Sequence, residues 1–216
     1  IAHFVPVLTR SREPHRAVVM APLLLQLAGI LVFLHFSGDA GVSVLLTAAW
    51  IALAVCLGIA GWLLSRARRT LGAPHPGWRW YLAALALLAV GLALVPAMYY
   101  WPQWRPALRL LHLHLNTLGF IGLTAIGTLQ VLLPTVLSGP DADAADRLRK
   151  DLPLAVTGVF AVGVGAALWW PLSIVGAAAL LHVSGRLGWA WLQRYGWREL
   201  LADGASVALS SALAGF

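Results

Sequence analysis

His112 and His114 stand two residues apart in LRLLHLHLNTLGFIGLTAIGTLQVLLPTVL, the run from Leu108 to Leu137. Neutral imidazole is the commonest transition-metal ligand and an ordinary axial ligand of haem iron. In membranes it also relays protons and bonds helices together. The run around the two histidines is apolar overall and flanked by charge. At ~1.5 Å rise per residue it is long enough to cross a bilayer. An unpaired imidazole or amide in hydrocarbon costs several kcal/mol. Histidines on such a helix therefore need partners and are the strongest functional signal in the chain.

Wound at about 100° per residue, the polar groups of this run separate. His112, Asn116, Gly119, Gln130 and Pro134 fall along one stripe, and His114, Thr117, Thr124 and Thr128 along roughly the opposite one. Lipid tolerates neither stripe, which predicts a central helix with protein on both sides. The two imidazoles point to opposite faces, so they predict two sites, or one site and one structural histidine. Ligation needs the ring fixed by a neighbour; Asn116 lies one turn from His112, and Thr117 three residues from His114. The plainer role for either ring is an interhelical hydrogen bond. Gly119, Gly122 and Gly127 thin the helix for another helix or for a flat macrocycle, and close helix packing is the commoner cause.

Further along, His182 is followed one turn later by Arg186, inside an apolar run. A buried arginine needs an anion or carbonyls; a haem propionate, a carboxylate or backbone carbonyls of a neighbouring helix would serve. His35 and His3 are the remaining candidate ligands, while His15 and His75 fall in loops and receive no role. Cys56 is the single cysteine, which excludes an intrachain disulfide and a four-thiolate metal site. The chain has no CxxCH, no HExxH and no phosphate-cradling glycine loop. No acidic residue falls within an expected span, which argues against a carboxylate-driven transporter.

The elements that must position these residues follow from composition. The chain has 216 residues, 60% hydrophobic and 11% charged, with a mean hydropathy of +0.81. A soluble domain carries about twice that charged fraction. The expected fold class is an all-α integral membrane protein, a polytopic helical bundle of about six complete spans with truncated helices at both ends. Hydropathy predicts the tail of a helix at 1–9, spans near 17–36, 42–64, 80–98, 108–137, 153–169 and 172–193, and a further helix from about 200. Ile1 and the apolar run into Phe216 read as cut ends of a longer protein. Trp169-Trp170-Pro171 predicts a tight interfacial reversal.

The formal net charge of +7 comes from arginines between apolar runs, which argues against nucleic acid and for orientation in a membrane. Twelve Lys and Arg side chains fall on one side of the expected topology, against Arg105 and Arg109 on the other. That bias predicts Arg-rich cytoplasmic loops in a bacterial inner membrane. It puts His35, His112 and His114 near the outer ends of their helices, with His182 near mid-membrane. A repeat at an offset of about 127 to 128 residues pairs HFVPVLTR (3–10) with VLLPTVLSG (131–139), and LGIAGWLLSR (57–66) with RLGWAWLQR (186–194). It predicts parallel four-helix units, residues 1–98 and 99–216, within one membrane domain.

The segment His114-Leu-Asn-Thr-Leu-Gly119-Phe-Ile-Gly122-Leu123-Thr-Ala-Ile-Gly127 resembles the H-x4-G-x2-G-L-x3-G helix of the NnrS family, bacterial membrane proteins associated with haem, copper and nitric oxide stress. The HxHxN start and following LP are also similar to helices of subunit I of haem–copper oxidases and nitric oxide reductases. The likeness covers residues 112–136. It implies His114 as haem or metal ligand, with the three glycines shaping the packing and the role of His112 open. The chain has no adjacent histidine pair, and it lacks the full histidine and tyrosine set of an oxygen-reducing centre. That departure weakens the implication of oxygen or nitric oxide reduction.

The expected function is binding of haem b, with copper as a second metal these ligands suit, for electron transfer or nitrogen-oxide response. The residues expected to carry it are His114, His112 and His182 with Arg186, then His35 and His3. Expected partners are membrane lipid, a quinol or redox protein at the outer face near Tyr99, Tyr100, Trp101 and Trp104, and a fused or separate soluble domain. A transporter with a polar-lined pathway, and a membrane anchor with structural histidines, are the other readings. An absorption spectrum separates them from haem.

Overall fold

Long apolar runs without internal acids wind into helices because only a helix satisfies every backbone group within its own segment. A computed structural model describes Pro6, Leu8, Thr9, Val18 and residues 20–70, 72–137, 141–202 and 204–214. The elements are α1 (Ala21–Phe36), α2 (Val42–Arg68), α3 (Gly77–Tyr100), α4 (Pro102–Leu137), α5 (Ala144–Leu168), α6 (Trp170–Leu200) and α7 (Gly204–Ala214). No strand occurs among the described residues. Among the described residues five helices, α2 to α6, are long and apolar enough to cross a membrane, and α1 and α7 are shorter apolar helices. The protein is an all-α, multi-pass membrane bundle. The expected span 17–36 is described as the 16-residue α1, with most residues upstream of it outside the described set.

Consecutive helices run antiparallel. Among the described residues, one end of the bundle carries Arg66, Arg68, Arg147 and Arg194; the other carries Arg105 and Arg109 as its only arginines. Prolines open α1 and α6 in the first turn, where a missing N–H is not needed. Trp169 is extended (φ −159°, ψ 98°) and reverses the chain between α5 and α6 as the Trp-Trp-Pro run predicts. Gly196, at φ +74°, kinks α6 near its Arg-rich end.

Glycines set the closest helix contacts. A Cβ on Gly176 of α6 would lie 2.6 Å from the Gly158 carbonyl oxygen of α5, and one on Gly165 would lie 2.3 Å from the Ser173 amide nitrogen. On α4, a Cβ at Gly127 would meet Trp80 of α3 at 2.8 Å, and one at Gly119 would meet Leu87 at 3.0 Å. Helix packing therefore accounts for Gly119 and Gly127 without a macrocycle. Trp80, Leu115, Leu123, Leu133, Val159 and Leu187 are buried in the core between α3, α4, α5 and α6. Trp80 closes it by donating from Nε1 to the Leu148 carbonyl at 2.8 Å.

Two expectations change. First, α4 is not enclosed on all sides: Leu113 and Ile121 are 53% and 59% exposed, with Thr117 between them. Thr117 tolerates this position because its hydroxyl donates to the Leu113 carbonyl at 2.9 Å. Second, α5 starts at Ala144 instead of near 153, so a carboxylate does sit in a spanning helix. Asp151, with a side chain 2% exposed, faces Arg186 of α6 at 3.0 Å.

The Arg-rich end is tied by a second acid. Asp141 pairs with Arg147 and, at 3.1 Å, with Arg194, and it accepts the Asp143 amide at 3.0 Å. Burial pushes its carboxyl up, but Arg147, the Asp143 amide and Arg194 outweigh burial and hold it below the usual carboxylate range.

Candidate functional site

The fourth helix changes its winding as it crosses the bundle. It opens with a 3-10 turn at Pro102–Trp104, runs as α-helix over Arg105–His114, widens to a π-helix over Leu115–Gly122, and returns to α over Leu123–Leu137. Helices of the π type are rare and occur often at functional sites. Just before the widened turn, Arg105, Arg109, His112 and Asn116 stand at i, i+4, i+7 and i+11, which is one face of a helix.

That face borders a cavity of about 860 Å³ between α1, α2, α3 and α4 at the Arg-poor end. Its walls are apolar, with Leu25 and Val32 from α1, Leu45 and Ala49 from α2, and Leu92 and Val95 from α3. Its polar lining holds two guanidiniums, Arg105 and Arg109, two imidazoles, His35 and His112, the amide of Asn116 and the rim phenol of Tyr99. Among the described residues no carboxylate lines it.

The two imidazoles are held differently. His35, in the last turn of α1, uses Nδ1–H to donate to the Ala40 carbonyl at 3.1 Å. Its Nε2 has no partner among the described residues, which leaves the lone pair there. His112 donates from Nδ1–H to the Gly91 carbonyl of α3 at 2.7 Å. The Asn116 amide nitrogen lies 3.0 Å from its Nε2 and 3.4 Å from its Nδ1, against the face of the ring. Asn116 Oδ1 is buried and has no hydrogen-bond partner. It fills the notch over Gly91, where a Cβ would lie 2.6 Å away. Arg105 donates from Nε to the Met98 carbonyl at 3.3 Å, and both arginines are exposed.

The other expected residues lie elsewhere. His114 is half-buried on the α5 side of α4; its Nδ1–H donates to the Leu110 carbonyl at 2.7 Å, and its Cβ faces Gly163. It does not border the cavity. His182 is exposed on α6, twelve residues past Trp170, or about 18 Å from the Arg-poor end. His182 therefore does not share the depth of His35, His112 and Asn116 at the Arg-poor end. Arg186 lies about 24 Å from that end, at the depth of Asp151. The neighbouring carboxylate, one of the partners the sequence allows, takes the place of a propionate. His3 lies outside the described residues. No three His, Cys, Asp or Glu side chains gather to hold an ion among the described residues.

Haem b asks for an apolar slot, an imidazole lone pair and cations for two carboxylates. The cavity wall, the free Nε2 of His35 and the Arg105–Arg109 pair meet those needs. A ligand site of about 300–1,000 Å³ is ordinary. Arg105 and Arg109 were legible as a stripe with His112 and Asn116, yet a count of loop charges treats them only as topology. Nothing local in the sequence brings His35 to the same cavity.

Comparison with protein-family models, with curated proteins and with solved structures finds no match to this chain.

Proposed function

We propose that this protein holds haem b in the cavity at the Arg-poor end and serves electron transfer or nitrogen-oxide response in a bacterial inner membrane. The observation that carries the reading is the lining itself: apolar walls, cations without an acid, and imidazoles in one space. Arg105 and Arg109 bind the propionates at the water edge. An imidazole reaches in from the rim, and the apolar walls exclude water. When bound, the haem supplies one-electron chemistry, and the low dielectric and nearby guanidiniums set its potential. The Arg-rich end lies in the cytoplasm by the positive-inside rule. The cavity then faces the outer side, where Tyr99, Tyr100, Trp101 and Trp104 offer a quinol or redox protein an aromatic rim.

The test is an absorption spectrum of the detergent-purified protein, before and after addition of haemin. A Soret band that shifts with dithionite is expected. It should be lost in Ala49→Trp, which fills the cavity, and weakened in Arg105→Gln/Arg109→Gln, and it should persist in His182→Ala. A protein that takes up no haem overturns the reading.

A second reading rests on the bond of His112 across to the Gly91 carbonyl of α3, an interhelical bond that by itself gives the ring a structural use. The same cavity then holds a fatty acid or anionic phospholipid. Colourless protein that carries such a lipid, released by Ala49→Trp, is its signature.

A further inference from the structure

We infer that the cavity exchanges its ligand with the membrane: haem enters and leaves sideways, through lipid at the Arg-poor end, between α1 and α4. The inference rests on the haem reading above and deepens it to the source of the haem and its route.

Four helices surround the space, α1, α2, α3 and α4. Among the described residues α1 packs on α2, α2 on α3, and α3 along the whole of α4. α1 and α4 make no comparable contact with each other, although both line the space. Three sides of the ring are thus closed by helix on helix, and the fourth is open. α2, α3 and α4 are long and apolar enough to span, and α1 is apolar too. The open side of such a ring faces hydrocarbon.

Exposure follows the same division. Ala48 and Ala49, on the α2 wall, are buried. Leu25 and Gly29 of α1 and Arg109 of α4 line the space yet are exposed. A Cβ on Gly29 would have nothing within 4 Å, so the α1 side of the gap has room. On the α4 side, Leu113 follows His112 and is 53% exposed.

The charges suit this route. Haem is an apolar body with two carboxylates. Passage through water would expose the apolar body, at about 25 cal/mol per Å². Passage deep in hydrocarbon would strip the carboxylates of water, which costs more. Sideways entry near the surface avoids both. Arg105 and Arg109 stand one turn apart on α4, the helix that edges the gap. They take the carboxylates at headgroup level while the ring slides in below. Among the described residues no acid lines the space to repel them.

The test closes the gap and follows haem by its Soret band, with the protein in phosphatidylcholine vesicles and haemin added to the same bilayer. In a Cys56→Ser background, Gly29→Cys/Leu113→Cys puts one thiol on each side of the gap. A flexible bismaleimide with a disulfide in its spacer bridges them. Bridging before haemin is added should abolish loading, and reduction of the spacer should restore it. Bridging after loading should hold the haem against an excess of empty vesicles, which draw it from unbridged protein. Each single-cysteine variant, treated with the same reagent, should load as untreated protein does. Equal loading with and without the bridge overturns the inference while the haem reading stands, and so does haem that leaves bridged protein at the unbridged rate. Singly labelled protein that loses loading as fully as bridged protein overturns it too, because the reagent then acts by filling the space. Protein that takes up no haem in any form overturns both.

Discussion

His112 Nδ1–H donates to the carbonyl of Gly91, 2.7 Å away on the neighbouring helix. The bond exists because residue 91 has no side chain: Asn116, whose amide lies against the His112 ring, occupies the space a Cβ would take. Gly91→Ala should therefore displace Asn116 and open the His112 bond, lowering stability by about 1–3 kcal/mol, the usual range for overpacking. Thermal unfolding in detergent measures it. An unchanged midpoint would show that the three residues are not mutually locked.

Removing Arg186 strands the Asp151 carboxylate, whose side chain is 2% exposed. Breaking a buried pair from one side costs about 3–5 kcal/mol. With Arg186 itself 43% exposed, the loss in Arg186→Gln belongs at or below the lower end of that range. Asp151→Asn should recover most of it in the double variant. Strictly additive losses in a double-mutant cycle would mean the two side chains are not coupled.

His75 gives a pH dependence with a definite sign. Its Nδ1 accepts the Gly77 amide at 3.2 Å, a bond the protonated ring cannot make. Burial, and then Arg149, hold its pKa below the ordinary 6.5. The folded value is thus lower than the unfolded one, and the unfolded chain takes the proton first. The contribution is present above about pH 6.5 and is lost as pH falls through the folded value. The unfolding midpoint should drop between pH 7.5 and 5, and His75→Asn, which keeps an acceptor, should flatten that limb. An equally steep limb in the variant would assign the effect to another group.

Gln130 is fully buried, and neither polar atom of its amide has a partner among the described residues. Replacing an unsatisfied polar group by an apolar one of similar shape is close to neutral or stabilising. Gln130→Met should leave the unfolding midpoint unchanged or raise it. A fall equivalent to more than about 1 kcal/mol would mean that internal water satisfies the amide.

The helices themselves were legible because hydropathy reports where lipid is. It does not report where a helix begins. The turns from Ala144 to Lys150 are charged, so a hydropathy window starts the span near 153, while Ala, Leu, Arg and Lys are all good helix formers. That lost stretch hid Asp151, and with it the partner that Arg186 visibly required. His112 stood out from sequence because its polarity has no place in lipid. His35 did not, since its relation to α4 depends on how α1 and α2 pack, and no local pattern encodes that. The wheel drawn from 108 to 137 assumed one uniform pitch, and Leu115–Gly122 breaks it.

That slower stretch of coil makes α4 two pieces clocked differently on one axis. From Leu123 onward the side chains are aimed where uniform winding from Arg105 would not send them, and so Gly127 meets Trp80 while the arginine face stays on its own space. The widened turn acts as a slack loop in a rope. Loss of one residue within it takes up that slack and lets the turn close to α winding, so it alters the wall at Leu115–Gly122 more than the mesh of Gly127 with Trp80.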